Sequence, residues 1–193
     1  MARPREFDEN QALDAALEAF WARGYDATSI EDLVTATGVG RASLYAAFGD
    51  KEHLFRRVLD RYLARDMKQI ADATRELSGE AAIRAFFAQR VAKFCPKDGA
   101  RGCFLQASGT SGSSVDMVES AGLSFSREMR AWLVDQLKQA QAAGQVARGT
   151  DLAAVADLLL VLHNGLSASA RAGLSPKALR AAADEGLARI FAR

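Results

Sequence analysis

The stretch that decides the fold is residues 28–54, which read TSIEDLVTATGVGRASLYAAFGDKEHL. Its apolar residues recur at helical spacing, and glycines interrupt them at Gly38 and Gly49. Glycine readily takes the left-handed conformation that ends a helix. The pattern therefore predicts three helices separated by two short turns, with Val39 filling the first corner.

Polar residues at the helix starts support these boundaries. Thr28 and Glu31 have the spacing of a capping box, in which each side chain accepts a hydrogen bond from a free backbone N–H. Asp50 is expected to cap the third helix, which begins at Lys51.

The middle helix, which begins near Arg41, is expected to have one buried and one exposed face. Leu44 and Phe48 are four residues apart and should hold it against the first helix. Two short helices around a glycine-containing turn are typical of the helix-turn-helix, whose second helix enters the DNA major groove. We therefore predict that this surface contacts DNA, although its residues could also be ordinary surface residues. The predicted contacts are Thr28, Gly40, Arg41, Ala42, Ser43, Tyr45, Ala46 and Lys51.

These residue types suit backbone contacts better than base reading. Arg41, Tyr45 and Lys51 suit phosphate oxygens. Ala42 and Ala46 offer only methyl contact to thymine. Specificity is therefore expected to depend on Arg41, on close approach and on DNA shape.

The chain resembles the TetR family of transcriptional regulators here. The resemblance rests on FWARGYDATSIEDLV at 20–34, ATGVGRASLYAAF at 36–48 and GDKEHLF at 49–55. It implies a bacterial protein with nine helices, the last two of which pair across a two-fold axis as a four-helix bundle. It also implies a small-molecule effector pocket in the second domain.

Composition is that of an ordinary globular protein of 193 residues, 49% hydrophobic and 25% charged, with a net charge of +1. DNA binding would depend on local cations, which include Arg3 and Arg5, and should be sensitive to salt. The arm 1–7 is either a frayed terminus or a DNA-touching segment. The first residues are charged, and no apolar run approaches the roughly 18 residues of a membrane span. We therefore expect a cytoplasmic protein without a membrane segment.

The whole chain predicts an all-α fold of nine helices. Residues 1–50 form a three-helix DNA-binding head, and 51–193 form a helical ligand-binding and dimerisation domain. A long helix over about 51–76 connects them. Helix 8, which ends near residue 172, is apolar almost all round and is expected to be buried on all sides, one side by a second subunit. Ser175 and Pro176 start helix 9, and helices 8 and 9 are the predicted homodimer interface.

The second domain combines many apolar residues with a few polar ones, which is what a small-molecule pocket needs. The ordinary alternative is that these residues simply form the core. The predicted effector-binding residues are Phe87, Arg90, Phe94, Cys103, Gln106, Met129, Trp132 and His163.

Cys103 supports a second hypothesis. It follows Arg101, has Lys97 nearby and falls near a predicted helix start, and such surroundings make a thiol reactive. The segment also resembles that of TetR-type regulators that sense electrophiles or oxidants. The alternative is a small buried side chain, the commonest role of a free cysteine.

No enzyme, cofactor or metal site is predicted. Cys95, Cys103, His53 and His163 lack the paired spacing of a zinc site. We predict a repressor that binds a palindromic DNA operator as a homodimer and is released by a small-molecule effector. The alternatives are a cysteine-based sensor with the same head and an all-helical adaptor that no longer binds DNA.

Overall fold

The computed structural model describes residues 7–96, 99, 101–108 and 115–191, and these residues form nine helices and no strand. The predicted all-α class is confirmed, and the helix ends differ from the expected ones by a residue or two. The helices are α1 (Glu9–Arg23), α2 (Ile30–Thr37), α3 (Arg41–Phe48), α4 (Lys51–Thr74), α5 (Gly79–Phe94), α6 (Phe104–Ser108), α7 (Val115–Ala142), α8 (Leu152–Arg171) and α9 (Pro176–Ile190).

The chain folds into two compact units. The described parts of Met1–Asp66 and Ala107–Gly122 form the first unit, and those of Met67–Gln106 and Leu123–Arg193 form the second. Helices α4 and α7 each begin in the first unit and end in the second. The predicted boundary after residue 50, between a DNA-binding head and a ligand-binding and dimerisation domain, stays a prediction.

Aromatic side chains form the core of the first unit. The ring of Phe20 is fully buried and meets Phe55 edge-on, with 5.0 Å between centroids. Tyr25 lies against Phe55 at 4.8 Å, and Trp21 meets Tyr62 edge-on at 5.6 Å. These pairs join α1 and the turn after it to α4 and form an aromatic platform, and α2 packs against α1.

Ion pairs along the same helices reinforce this platform. Arg61 donates to both carboxylate oxygens of Asp14, at 2.9 and 3.0 Å, and Arg65 donates to Asp14 at 2.5 Å. The Arg61 hydrogen bond is the main reason that the pKa of Asp14 lies below its ordinary value of 3.8. Because the pKa is lowered, these ion pairs stabilise the fold at pH values above the ordinary pKa of 3.8. The stabilisation is lost as the pH falls and the Asp14 carboxylate is protonated.

The cap of α2 differs from the prediction. The hydroxyl of Ser29 accepts from the Asp32 N–H at 3.1 Å, and the Asp32 carboxylate accepts from the Ser29 N–H at 2.9 Å. Thr28 is fully buried and donates to the Gly24 carbonyl at 2.6 Å. The predicted box of Thr28 and Glu31 is therefore wrong by one residue, because the Thr28 hydroxyl is already engaged inside the unit.

The start of α5 in the second unit is held by two glutamine side chains of the segment around the end of α7. The N–H of Gly79 donates to Gln136 at 3.0 Å, and that of Glu80 donates to Gln145 at 3.2 Å. Gly79 has a φ of +60°, and a Cβ there would lie 2.8 Å from the Gln145 oxygen. Only glycine fits this position without displacing its neighbours.

Helix α8 is buried on one side only within the chain. Leu159 and Leu166 are buried, whereas Leu158 is 54% and Val161 67% exposed. By length and composition, α8 alone among the described helices could cross a membrane. The prediction concerned an unbroken apolar run of about 18 residues, and Asp157, His163 and Asn164 interrupt the apolar residues of α8; core helices of soluble proteins pass the same test of mean hydropathy.

The corrected cap can be tested by substitution. Ser29→Ala should lower the free energy of unfolding by about 1 kcal/mol, since it removes an N-cap oxygen. Glu31→Ala, on an exposed side chain outside the box, should change it by less than about 0.5 kcal/mol. Urea unfolding measures both variants, and the reverse ranking would restore the cap at residues 28 and 31.

Candidate nucleic-acid interface

The α2–α3 corner is built on a buried apolar cluster. Leu33 of α2, Val39 in the turn, and Leu44 and Phe48 of α3 are all buried. Gly38 ends α2 in the left-handed conformation with a φ of 68°. The predicted inward face of α3 is confirmed, and it determines the orientation of the other face.

The opposite face of α3 is exposed. Tyr45 is 44% exposed, and Gly40, at the N-cap position, makes no side-chain cap hydrogen bond. The exposed surface therefore combines uncapped backbone N–H groups with a few short side chains. Its members are Gly40, Arg41, Ala42, Ser43, Tyr45 and Ala46.

Arg41 is held across the turn by Glu31. The Nη2 atom of Arg41 forms an ion pair with the Oε1 atom of Glu31, and the two side chains are 56% and 68% exposed. Glu31 lies in the first turn of α2, and Arg41 is the first residue of α3. Sequence reasoning missed this pair because the two residues are not on one helix, so no periodicity relates them.

Lys51 lies at the start of α4, against the first-unit core. Its ammonium group is 4.3 Å from the centre of the Tyr25 ring. Burial lowers the pKa of Lys51. The cap predicted at Asp50 is confirmed, since its carboxylate accepts from the His53 N–H at 2.8 Å. This backbone hydrogen bond is the main reason that the pKa of Asp50 is lowered.

Two predicted parts of the DNA surface are not on this face. Thr28 is fully buried, so its side chain has no surface to offer to DNA. Arg3 and Arg5, in the predicted arm, lie outside the described residues.

Five of the eight predicted effector residues form a cluster with Phe86 in the second unit. The ring of Phe86 lies 5.4 Å from Trp132 and 5.7 Å from His163, centroid to centroid, and His163 lies 5.4 Å from Phe94. Phe86 was not among the predicted site residues, because helical spacing places it equally well in a plain core. The Phe86 cluster consists of Phe86, Phe87, Arg90, Phe94, Trp132 and His163.

Gln106 reaches this cluster through Asn164. Its amide donates to the Asn164 side-chain oxygen at 2.6 Å, and that oxygen is 3.2 Å from Nδ1 of His163. Cys103 is buried, and its N–H donates to the Ser167 hydroxyl at 2.8 Å. Met129 is also buried in this unit. Among the described residues, no group of three or more His, Cys, Asp or Glu side chains could hold a metal ion.

Comparison with known proteins agrees with this geometry. Residues 12–58 match the family model of bacterial regulatory proteins, tetR family. The HTH-type transcriptional repressor ComR of Escherichia coli (strain K12) is 39% identical over 180 residues, which span 90% of this chain and 84% of ComR. The chain belongs to the TetR family.

Two further comparisons support the same assignment. The repressor BdcR of Escherichia coli (strain K12) is 42% identical over 74 residues, 38% of each chain. The TetR family regulator CifR, solved as a cysteine mutant with 26 bp double-strand operator DNA, has a TM-score of 0.86 and 30% identity, covering 98% of this chain and 100% of CifR. The chain is thus a helix-turn-helix, DNA-binding transcriptional regulator.

Proposed function

We propose that this regulator is a repressor that binds a palindromic operator as a homodimer and dissociates when a small-molecule effector occupies its second unit. The observation that carries the DNA-binding part is the outward face of α3, whose position follows from the buried Leu44 and Phe48. CifR is bound to operator DNA, and ComR is a repressor. Both support the proposal.

The proposed DNA contacts follow from the chemistry of that face. Arg41 can donate two hydrogen bonds to a guanine edge, which is the commonest specific contact in the major groove. Gly40 permits close approach of the backbone, and we expect Tyr45 and Lys51 to bind phosphate. The remaining exposed side chains are small, so DNA shape contributes to selectivity. They are Ala42, Ser43 and Ala46.

Two substitutions test these contacts on operator DNA. Arg41→Ala should weaken operator binding roughly five- to 150-fold, since one bidentate base contact is worth roughly 1–3 kcal/mol. Lys51→Ala should reduce the slope of log affinity against log salt by about one, because one phosphate contact is lost. Fluorescence anisotropy measures both, and Lys138→Ala, an exposed cation on α7, is the control. Unchanged binding by both variants would contradict the contacts, and salt-independent or absent binding by the unmodified protein would favour the adaptor.

The exposed face of α8 supports dimerisation. Leu158 and Val161 are exposed on a helix with mostly apolar residues, and the neighbouring positions on the same face are small. The spacing of alternately four and three residues is that of helices that pack lengthwise. We assign a second copy of this chain to this face, with α9 beside it. The exposed face consists of Ala154, Leu158, Val161, Gly165 and Ala168.

A charge on this face should separate the two copies. Val161→Asp places a carboxylate in the proposed apolar interface, where desolvation is costly. Sedimentation velocity should show a dimer for the unmodified chain and a monomer for Val161→Asp. Ala131→Asp, at an exposed position of α7, is the matched control and should remain dimeric. A dimeric Val161→Asp variant would place the interface elsewhere.

The Phe86 cluster is the proposed effector site. It joins α5, α7 and α8, and α8 also carries the proposed dimer face. An effector that binds between these rings therefore changes the position of an interface helix. The two heads then no longer match the half-site spacing. A coupling of about 1–3 kcal/mol is typical of such regulation.

One observation favours the cysteine hypothesis as a second candidate. The Phe94 carbonyl accepts from the N–H groups of Arg101 and Gly102, at 3.0 and 3.2 Å. These hydrogen bonds bring residue 94 next to residues 101 and 102. Cys95 and Cys103 each directly follow one of the bonded residues. Two observations oppose a fast oxidation of these thiols. Burial raises the pKa of Cys95, and Cys103 is only 3% exposed. Lys97, predicted to activate Cys103, lies outside the described residues.

Cys103→Ser separates the two candidates. Hydrogen peroxide can convert two thiols into a disulfide, and it takes up their two electrons and two protons as it forms two molecules of water. Because Cys103 is buried, we expect peroxide not to release the unmodified protein from operator DNA in a mobility-shift assay, and Cys103→Ser to bind equally well. Release of the unmodified protein by peroxide, together with resistance of Cys103→Ser, would favour the sensor.

A further inference from the structure

We propose that Glu31 determines how selectively α3 binds DNA, by positioning Arg41. The inference rests on the DNA contact proposed for Arg41. Its basis is the ion pair between Arg41 Nη2 and Glu31 Oε1, which joins the first turn of α2 to the first residue of α3 across the turn. Glu31 is therefore a positioning residue, since it acts through another side chain.

Glu31 has one structural role that does not involve Arg41: like Asp32, it lies in the first turn of α2, where a negative charge is favourable. The cap of α2 is formed by Ser29 and Asp32, and Asp32 also pairs with Arg23. The Glu31 side chain is 68% exposed, so it contributes little packing. A negative charge on the surface that faces DNA opposes binding to phosphate. The ion pair with Arg41 is a further interaction, which a favourable charge at the helix start does not by itself require.

The guanidinium of Arg41 has more donors than Glu31 can use. It carries five N–H groups in a fixed plane, and a carboxylate takes at most two of them in a bidentate contact. Arg41 can therefore keep its contact with Glu31 and still direct N–H groups toward the O6 and N7 atoms of a guanine. The carboxylate limits the rotation of a long side chain, so less conformational entropy is lost when the base contact forms.

The same carboxylate disfavours the alternative contact with phosphate. A phosphate oxygen brought to Arg41 is also brought toward Glu31, and the two negative charges repel each other. Non-operator DNA offers Arg41 mainly phosphate, whereas operator DNA offers it a base edge. Glu31 thus lowers the affinity for non-operator DNA more than the affinity for the operator, which raises selectivity by penalising the wrong partner.

The test compares two duplexes of equal length and equal salt. One carries the operator found by footprinting the DNA upstream of the protein's own gene, and the other carries the same bases in scrambled order. Glu31→Gln should raise the affinity for the scrambled duplex roughly two- to fivefold, the range set by a weak exposed ion pair. It should not raise the affinity for the operator, so the ratio of the two dissociation constants falls.

Two controls isolate the role of Glu31. Asp135→Asn removes an exposed carboxylate that pairs with Lys138 on α7, and it should leave the ratio unchanged. Glu31→Asp keeps the charge on a shorter side chain and should restore part of the ratio. If Glu31→Gln raises both affinities equally, Glu31 is merely a surface charge and the proposal is overturned.

A double-mutant cycle shows whether Glu31 acts through Arg41. In an Arg41→Gln background, Glu31→Gln should no longer change the ratio. A change of the same size in both backgrounds would overturn the positioning role. If Arg41→Gln itself leaves operator binding unaltered, the proposed DNA contact fails instead, so the two failures are distinguishable.

Discussion

The buried contacts of Leu33, Val39, Leu44 and Phe48 hold together two helices that are too short to be stable alone. Each of α2 and α3 has 8 residues, and isolated helices of that length are not populated in water. Packing of α2 against α1, and of α3 against α2, therefore stabilises the helix-turn-helix. It also fixes which side of α3 faces outward, so the proposed DNA surface is a consequence of the core beneath it.

Helix α8 of the second unit likewise has two faces with different surroundings. Its inward side chains include His163 and Ser167, which contact the Phe86 cluster and the segment before α6. Its outward side chains include Leu158 and Val161, which a single chain leaves exposed. In the proposed mechanism, one rigid helix connects effector and dimer interface, so a change on one side reaches the other without an intermediate element.

The sequence predicted the helices well because glycines and apolar spacing are local signals. It misplaced the α2 cap because Thr28 and Ser29 precede Glu31 and Asp32 at the same spacing, and only burial distinguishes the two boxes. Contacts between different helices leave no local pattern of this kind in the sequence. The ion pair of Glu31 with Arg41 depends on the angle of a turn, and the place of Phe86 at the centre of its cluster depends on how three helices meet.

In the proposed complex, two copies of the α3 face reach two successive sites on one side of DNA. Hydroxyl-radical footprinting of the DNA upstream of the gene tests it most directly. A two-fold dimer should give two protected patches, related by an inverted repeat and separated by one or more turns of about 10–10.5 base pairs. A single protected patch, or two patches in direct repeat, would contradict it.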